Sequence, residues 1–206
     1  MEISKNGILK GNEFNEACTN YTVIGSPVFD GFIVSKLAPG KYIDIPIEIN
    51  TNNSKIGVYF EGLLGEHKTT SASIVDLINS ENNYQCRLYE NQYGGIDGYF
   101  NGSYGCGANH DMAATGTFRI EWEIIGTTNT VSYYENNSLI SSGTKTISSG
   151  LNKVVKVRFG GQYSEWTGKL DLSTVLIKRD DVPIYSPATN GTFSSYQITA
   201  KEFYEI

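Results

Sequence analysis

Little in this chain of 206 residues points to catalysis, metal binding or a membrane. Cysteines number three, Cys18, Cys86 and Cys106, an odd set at wide spacing that excludes a disulfide framework and a zinc site and reads as reduced, buried thiols. Histidines number two, His67 and His110, both in loop contexts, with no Ser-His-Asp or metal-ligand spacing around either. Charged residues make up only 18% and the net charge is −6, with no Lys/Arg cluster, so a nucleic-acid or anionic-membrane surface is not expected. Residues 1–20 lack the apolar stretch of a secretory signal, and no run elsewhere could span a bilayer. With Met1 at its start, the chain reads as one made in a bacterial cytoplasm without processing.

What the chain does have is glycine (22 residues against 5 prolines) and aromatics at 12%, among them 14 tyrosines. That composition suits a β protein with many tight turns and is far from that of a disordered chain. Tyrosine packs well on sheets, and it also serves binding surfaces, because its body is apolar and its tip hydrogen-bonds. At this length one large domain is the default, burying roughly 70% of its unfolded surface.

Residues 117–185 carry the clearest pattern. Phe118, Ile120, Trp122 and Ile124 alternate with Arg119, Glu121 and Glu123, the period-2 signature of a half-buried strand. Residues 126–129 supply a turn, residues 131–135 resume as a strand, and Asn136-Asn137 is a second turn. Leu139-Ile140 begins a return strand ended by Ser141, Ser142 and Gly143. Val154, Val155, Val157 and Phe159 form another, stopped by Gly160-Gly161, and residues 176–178 one more before Pro183. Earlier strands are read at 28–34, 42–49, 55–61, 73–78 and 84–90, with Pro46 demoting its strand to an edge or a bulge. The expectation is an all-β, two-sheet antiparallel sandwich.

The run Thr117-Phe118-Arg119-Ile120-Glu121-Trp122, a turn, then residues 131–137, followed by Gly168-Lys169-Leu170-Asp171-Leu172, resembles the concanavalin A-like lectin/glucanase group, including laminin-G-like domains. Members of that group often carry an aromatic-x-Ile-x-Trp strand, a hairpin ending in Asn-Gly or Asp-Gly, and a later Gly-x-Leu/Ile-Asp-Leu segment. The resemblance covers residues 25–190 and implies a concanavalin A-like jelly roll. Ser138 stands where the group more often has glycine, which leaves the turn type open.

The loop at 91–107 is the most site-like stretch, rich in Gly, Tyr and Asn. Sugars are bound by aromatic faces stacking on C–H patches, with Asp, Asn and backbone groups holding the hydroxyls. The candidate ligand-binding residues are therefore Tyr93, Asp97, Tyr99, Asn101 and Tyr104, together with Tyr163 and Trp166, two large aromatics interrupting a polar turn. Such residues also populate ordinary β turns and strand ends. Asp97, Asn101 and Asp111 offer oxygen ligands for calcium, but their spacing singles out no site, and no cofactor is expected.

The same fold group includes glycoside hydrolases, whose retaining members need two carboxyl groups about 5 Å apart. In its glucanases these lie on one strand as Glu-x-Asp-x-x-Glu. The nearest stretch here, residues 42–48, puts Tyr42 at the nucleophile position, spaces Asp44 and Glu48 wrongly and adds Pro46. Glu121 and Glu123 share a face but read as solvated carboxylates, so the chain is expected to be no enzyme.

Both ends carry Glu-Phe-x-Glu, as Glu13-Phe14-Asn15-Glu16 and Glu202-Phe203-Tyr204-Glu205. The N-terminal segment resembles the entry segments of phage and prophage tail or head-fibre proteins that carry a lectin-like domain. The organisation expected is a tether or oligomerisation segment at 1–24, a sandwich at 25–190 and a C-terminal strand at 191–206. Exposed strand edges can pair between subunits. The expected function is a non-enzymatic carbohydrate-recognition or structural module on the surface of a phage virion, a fibre or decoration protein. Its expected partners are a host cell-surface glycan, other virion proteins and copies of itself, a trimer among the options. The alternatives are a purely structural assembly protein with no glycan ligand and a glycan hydrolase with an unrecognised carboxylate pair.

Overall fold

The computed structural model describes residues 21–65, 70–93, 96–100, 103–104, 116–146 and 153–185, and among them every regular element is a strand. In chain order these are β1 (Thr22–Ile24), β2 (Val28–Asp30), β3 (Ile33–Ser35), β4 (Tyr42–Asn50), β5 (Ile56–Leu63), β6 (Ala72–Asn79), β7 (Tyr84–Glu90) and β8 (Ile96–Phe100). Then follow β9 (Ser103–Tyr104), β10 (Thr117–Ile125), β11 (Thr128–Glu135), β12 (Ser138–Thr146), β13 (Lys153–Gly160), β14 (Lys169–Arg179) and β15 (Val182–Tyr185). They form a seven-stranded sheet in the order β1-β4-β13-β6-β7-β8-β9 and an eight-stranded sheet in the order β12-β11-β10-β5-β14-β3-β2, with β15 also against β14. All pairings are antiparallel, the two-sheet sandwich expected from the alternating strands.

Alternation decides which face of each strand is buried. In β10, Phe118, Ile120, Trp122 and Ile124 are buried while Arg119, Glu121 and Glu123 stay half-buried. Ile43, Ile45, Leu77, Leu88, Val157 and Phe159 of the seven-stranded sheet meet Val58, Phe60, Ile120 and Leu170 of the other in one core. Phe60 and Phe159 touch edge to face across the sandwich, centroids 5.1 Å apart. The Trp122 indole is sealed in but satisfied, its Nε1 donating to Asn129 Oδ1 at 2.6 Å.

The Asn136-Asn137 turn has φ of 45° and 66°, a left-handed pair typical of a type I′ hairpin, so Ser138 in place of glycine costs nothing there. Here β12 runs on to Thr146 instead of ending at Gly143, because it stays paired with β11 through Val131, Thr130, Asn129 and Thr128. Pro46, with no N–H to donate, sits beside the register shift of β13 against β4, the bulge that its presence predicted. Asp171 builds a bulge in β14: its Oδ1 accepts from Ser173 N at 3.0 Å, and Thr174 Oγ1 donates to its carbonyl at 2.7 Å. The Tyr-rich loop read at 91–107 contains the two strands β8 and β9. Residues 22–24, assigned to the tether, form β1 and pair with β4. Residues 1–20 and all of 191–206 lie outside the described residues, as do Cys18, Cys106, His67, His110 and Asp111; Cys86 is buried and in no disulfide among the described residues.

Two buried phenols make stability fall at high pH. Tyr59 donates to Glu123, and Tyr133 donates to Glu135 Oε1 at 2.7 Å; burial first, and then these hydrogen bonds, push both phenols above their ordinary value of 10.0. A folded-state value raised above the unfolded one gives stability that is complete below about pH 10 and drains away as pH rises further, by up to about 1.4 kcal/mol per pH unit for each group. Thermal midpoints measured from pH 8 to 11 are expected to fall beyond pH 10. In Tyr59→Phe/Tyr133→Phe protein the fall should be shallower, and an identical slope would refute the assignment.

Candidate functional site

Cross-strand partners share a face, so register alone defines a row of side chains across the seven-stranded sheet on the side away from the core. Asp44 faces Arg158, Arg158 faces Asp76, Asp76 faces Arg87, and Arg87 faces Tyr99. The flanking residues Ile43, Val157, Leu77 and Leu88 point into the core. Charge alternates along the row, and each carboxylate is gripped by an arginine in a two-point contact. Arg87 Nε and Nη2 reach Asp76 at 2.7 and 2.8 Å, and Arg158 Nε and Nη2 reach Asp44 at 2.7 and 2.9 Å. Ser73 Oγ adds a 2.8 Å bond to Asp76.

Aromatic rings lie on these cations. Tyr42 stacks under the Arg158 guanidinium at 3.9 Å, and Tyr163 lies 4.9 Å from the Arg87 guanidinium carbon and 5.7 Å from the Tyr89 ring. Tyr163 reaches that place because its segment returns over the end of β6: Ser73 N donates to Gln162 O, and Ser164 N to Ser71 O. Its φ of 64° is one that a bulky residue rarely adopts, yet the residue remains 53% exposed.

The sequence-predicted residues divide accordingly. Asp97 and Tyr99 of β8 lie on the same face as the row; Asp97 accepts from Asn91 Nδ2 at 2.9 Å, which joins it to the turn that carries the exposed Tyr93. Tyr104 is the register partner of Tyr99, and Asn101 lies outside the described residues. Trp166 is a correction: it is 1% exposed, packs edge-on against Phe118 at 5.7 Å and offers no ring face to a sugar. Among the described residues there is no cluster of three or more metal-ligating side chains.

The row was missed because its members come from four strands, and Asp44 and Arg158 are 114 residues apart in sequence. A signal was nevertheless present. Asp76 interrupts the apolar run Ile74-Val75-Asp76-Leu77-Ile78. Ionised residues inside such runs need buried partners.

The carboxylates nearest to a hydrolase pattern are engaged. Asp44 is held by Arg158, Glu123 accepts from Tyr59 with Lys55 Nζ at 3.6 Å, and Glu121 accepts from Tyr134 OH at 3.2 Å beside Arg119. Glu121 and Glu123 are thus members of a tyrosine and cation network on the eight-stranded sheet, where freely solvated groups were expected.

No protein-family model and no curated protein sequence matches the chain. Solved structures do resemble it. The CBM2 module of the evolved Dit of Lactobacillus casei BL23 phage J-1 superposes with a TM-score of 0.55 at 12% identity, over 77% of this chain and 90% of that one. The Lotus tetragonolobus seed lectin gives 0.58 at 8% identity, over 80% and 94%. A Trypanosoma rangeli sialidase mutant displaying trans-sialidase activity gives 0.59 at 8%, over 85% of this chain but 29% of the enzyme. The likeness is one of fold: the chain is a concanavalin A-like β sandwich.

Proposed function

We propose that this chain is a non-enzymatic glycan-recognition module of a phage particle, and that it binds through the outer face of the seven-stranded sheet. The observation that carries the reading is Tyr163, an exposed ring held in a rare backbone conformation over a buried arginine. Strain of that kind persists only where the surroundings over-determine it, and it gathers at ligand clamps. The ion pairs beneath fix the ring without using up its outer surface, the arrangement that stacking on a sugar requires. The phage module and the seed lectin that share the fold support the same direction. Placement on a virion surface, self-association and attachment to a host cell-surface glycan belong to this proposal; weak sites repeated across subunits would gain through effective concentration.

The test is to incubate the protein with bacterial surface polysaccharides, following bound protein and released sugar together. Binding without release is expected, and Tyr163→Ala should weaken it about tenfold or more through the lost stacking surface while the fold is kept. Release of sugar would make the protein a hydrolase. Absence of any binding would leave the assembly reading, which one observation favours: β12 is a nine-residue edge strand with Leu139 and Ile140 exposed.

A further inference from the structure

Beside β1, on the same outer face, a hollow of about 450 Å³ opens between β4, β13 and the β6–β7 turn. Its volume lies within the range of small-ligand sites. Ile24, Tyr42 and Pro46 supply apolar wall, and Asn82, Lys156 and Arg158 supply the polar side. Two cations stand here against the single carboxylate of Asp44, an excess of one positive charge in a chain whose net charge is −6. The next carboxylate along the row, Asp76, is matched by Arg87, and Glu48 on β4 is matched by Lys153 at 2.5 Å.

Neither cation is used up. Lys156 Nζ reaches Asp44 at 3.3 Å and Asn82 Oδ1 at 3.1 Å, which occupies two of its three protons, and its side chain is 28% exposed. Arg158 commits Nε and Nη2 to Asp44 and Asn82, and leaves Nη1 without a hydrogen-bond partner among the described residues. Asn82 holds its position with a φ of 63°, a left-handed turn conformation that asparagine tolerates, and its Oδ1 accepts from both cations. The donors are therefore preset, an ammonium and a guanidinium with protons to spare lining the same hollow as the apolar wall.

We infer that this hollow takes the anionic group of an acidic saccharide, a sugar carboxylate or phosphate set on Lys156 and Arg158 with its ring against Ile24, Tyr42 and Pro46. The inference rests on the glycan-recognition reading and narrows it to a charged ligand class. An anion restores the local charge balance, and its hydrogen bonds to two cations are of the strong, charge-assisted kind. A neutral sugar gains neither.

Calorimetric titration of the full chain with digalacturonate, glucose 6-phosphate and maltose, repeated on Lys156→Gln protein, tests this. The expected result is binding of at least one acidic sugar, at least tenfold tighter than maltose, falling about tenfold in Lys156→Gln with the thermal midpoint kept. The two acidic probes separate carboxylate from phosphate. Equal binding of maltose, or acidic binding indifferent to Lys156→Gln, overturns the inference and leaves glycan recognition standing. If the three sugars and the polysaccharides all fail to bind, both readings fall together.

Discussion

Arg87→Ala is expected to lower the unfolding free energy by about 3–5 kcal/mol, as befits removal of one partner of a buried ion pair. The guanidinium is 1% exposed and makes two short bonds to Asp76, itself 1% exposed at the side chain. Truncation leaves that carboxylate in the sheet with the Ser73 hydroxyl and with Arg158, which already grips Asp44. The carboxylate cannot stay ionised there at neutral pH without a large penalty. Against a total stability of about 5–15 kcal/mol for a natural domain, this loss alone approaches unfolding. Urea denaturation of wild type, Arg87→Ala and the pair Asp76→Leu/Arg87→Leu measures it. The double variant should cost less than the single one, because two apolar chains of suitable size leave no charge behind. A single-variant cost under about 1 kcal/mol would show that water reaches the pair, and that the row is no rigid floor for Tyr163.

That row also shows where sequence reading succeeds and where it stops. Local rules carry far in the second half of the chain. Alternation in β10 assigns its buried face residue by residue, and Asn136-Asn137 marks a hairpin because both residues must adopt positive φ. These features are written within a few consecutive residues. The ladder from Asp44 to Arg87 is written nowhere locally, since it needs the registers of β4, β13, β6 and β7 together. In an alternating strand, Arg158 and Asp44 look like ordinary solvent-facing positions. The end of β12 escapes for the converse reason: Ser141, Ser142 and Gly143 have turn chemistry, but a paired neighbour overrides propensity. Asp97 and Tyr99 were expected in a loop, and the topology lays them on β8 beside the row.

Tyr163 and Trp166 stand three residues apart in one polar turn, and composition gives no ground for separating them. The nearby Gly168 does. A Cβ at that position would lie 2.5 Å from Cζ2 of the indole, so the glycine that opens the Gly-Lys-Leu-Asp-Leu segment makes room for Trp166 to enter the core. Trp166→Ala is therefore expected to cost about 3–5 kcal/mol, as for a large aromatic removed from a close-packed interior, and to abolish any binding only by loosening the fold. Trp166→Phe separates the indole's bulk from its N–H. Nε1 of Trp166 is buried with no hydrogen-bond partner among the described residues, so the phenyl ring sheds a polar group whose burial is worth about 1–3 kcal/mol of penalty. That gain offsets part of the lost volume. Trp122→Phe runs the other way, because it removes the indole donor to Asn129 Oδ1 in a fully buried place. Chemical denaturation of the three variants should rank Trp166→Phe as the mildest. A Trp166→Ala protein that kept wild-type stability and lost only sugar binding would return Trp166 to the binding face and overturn its place in the core.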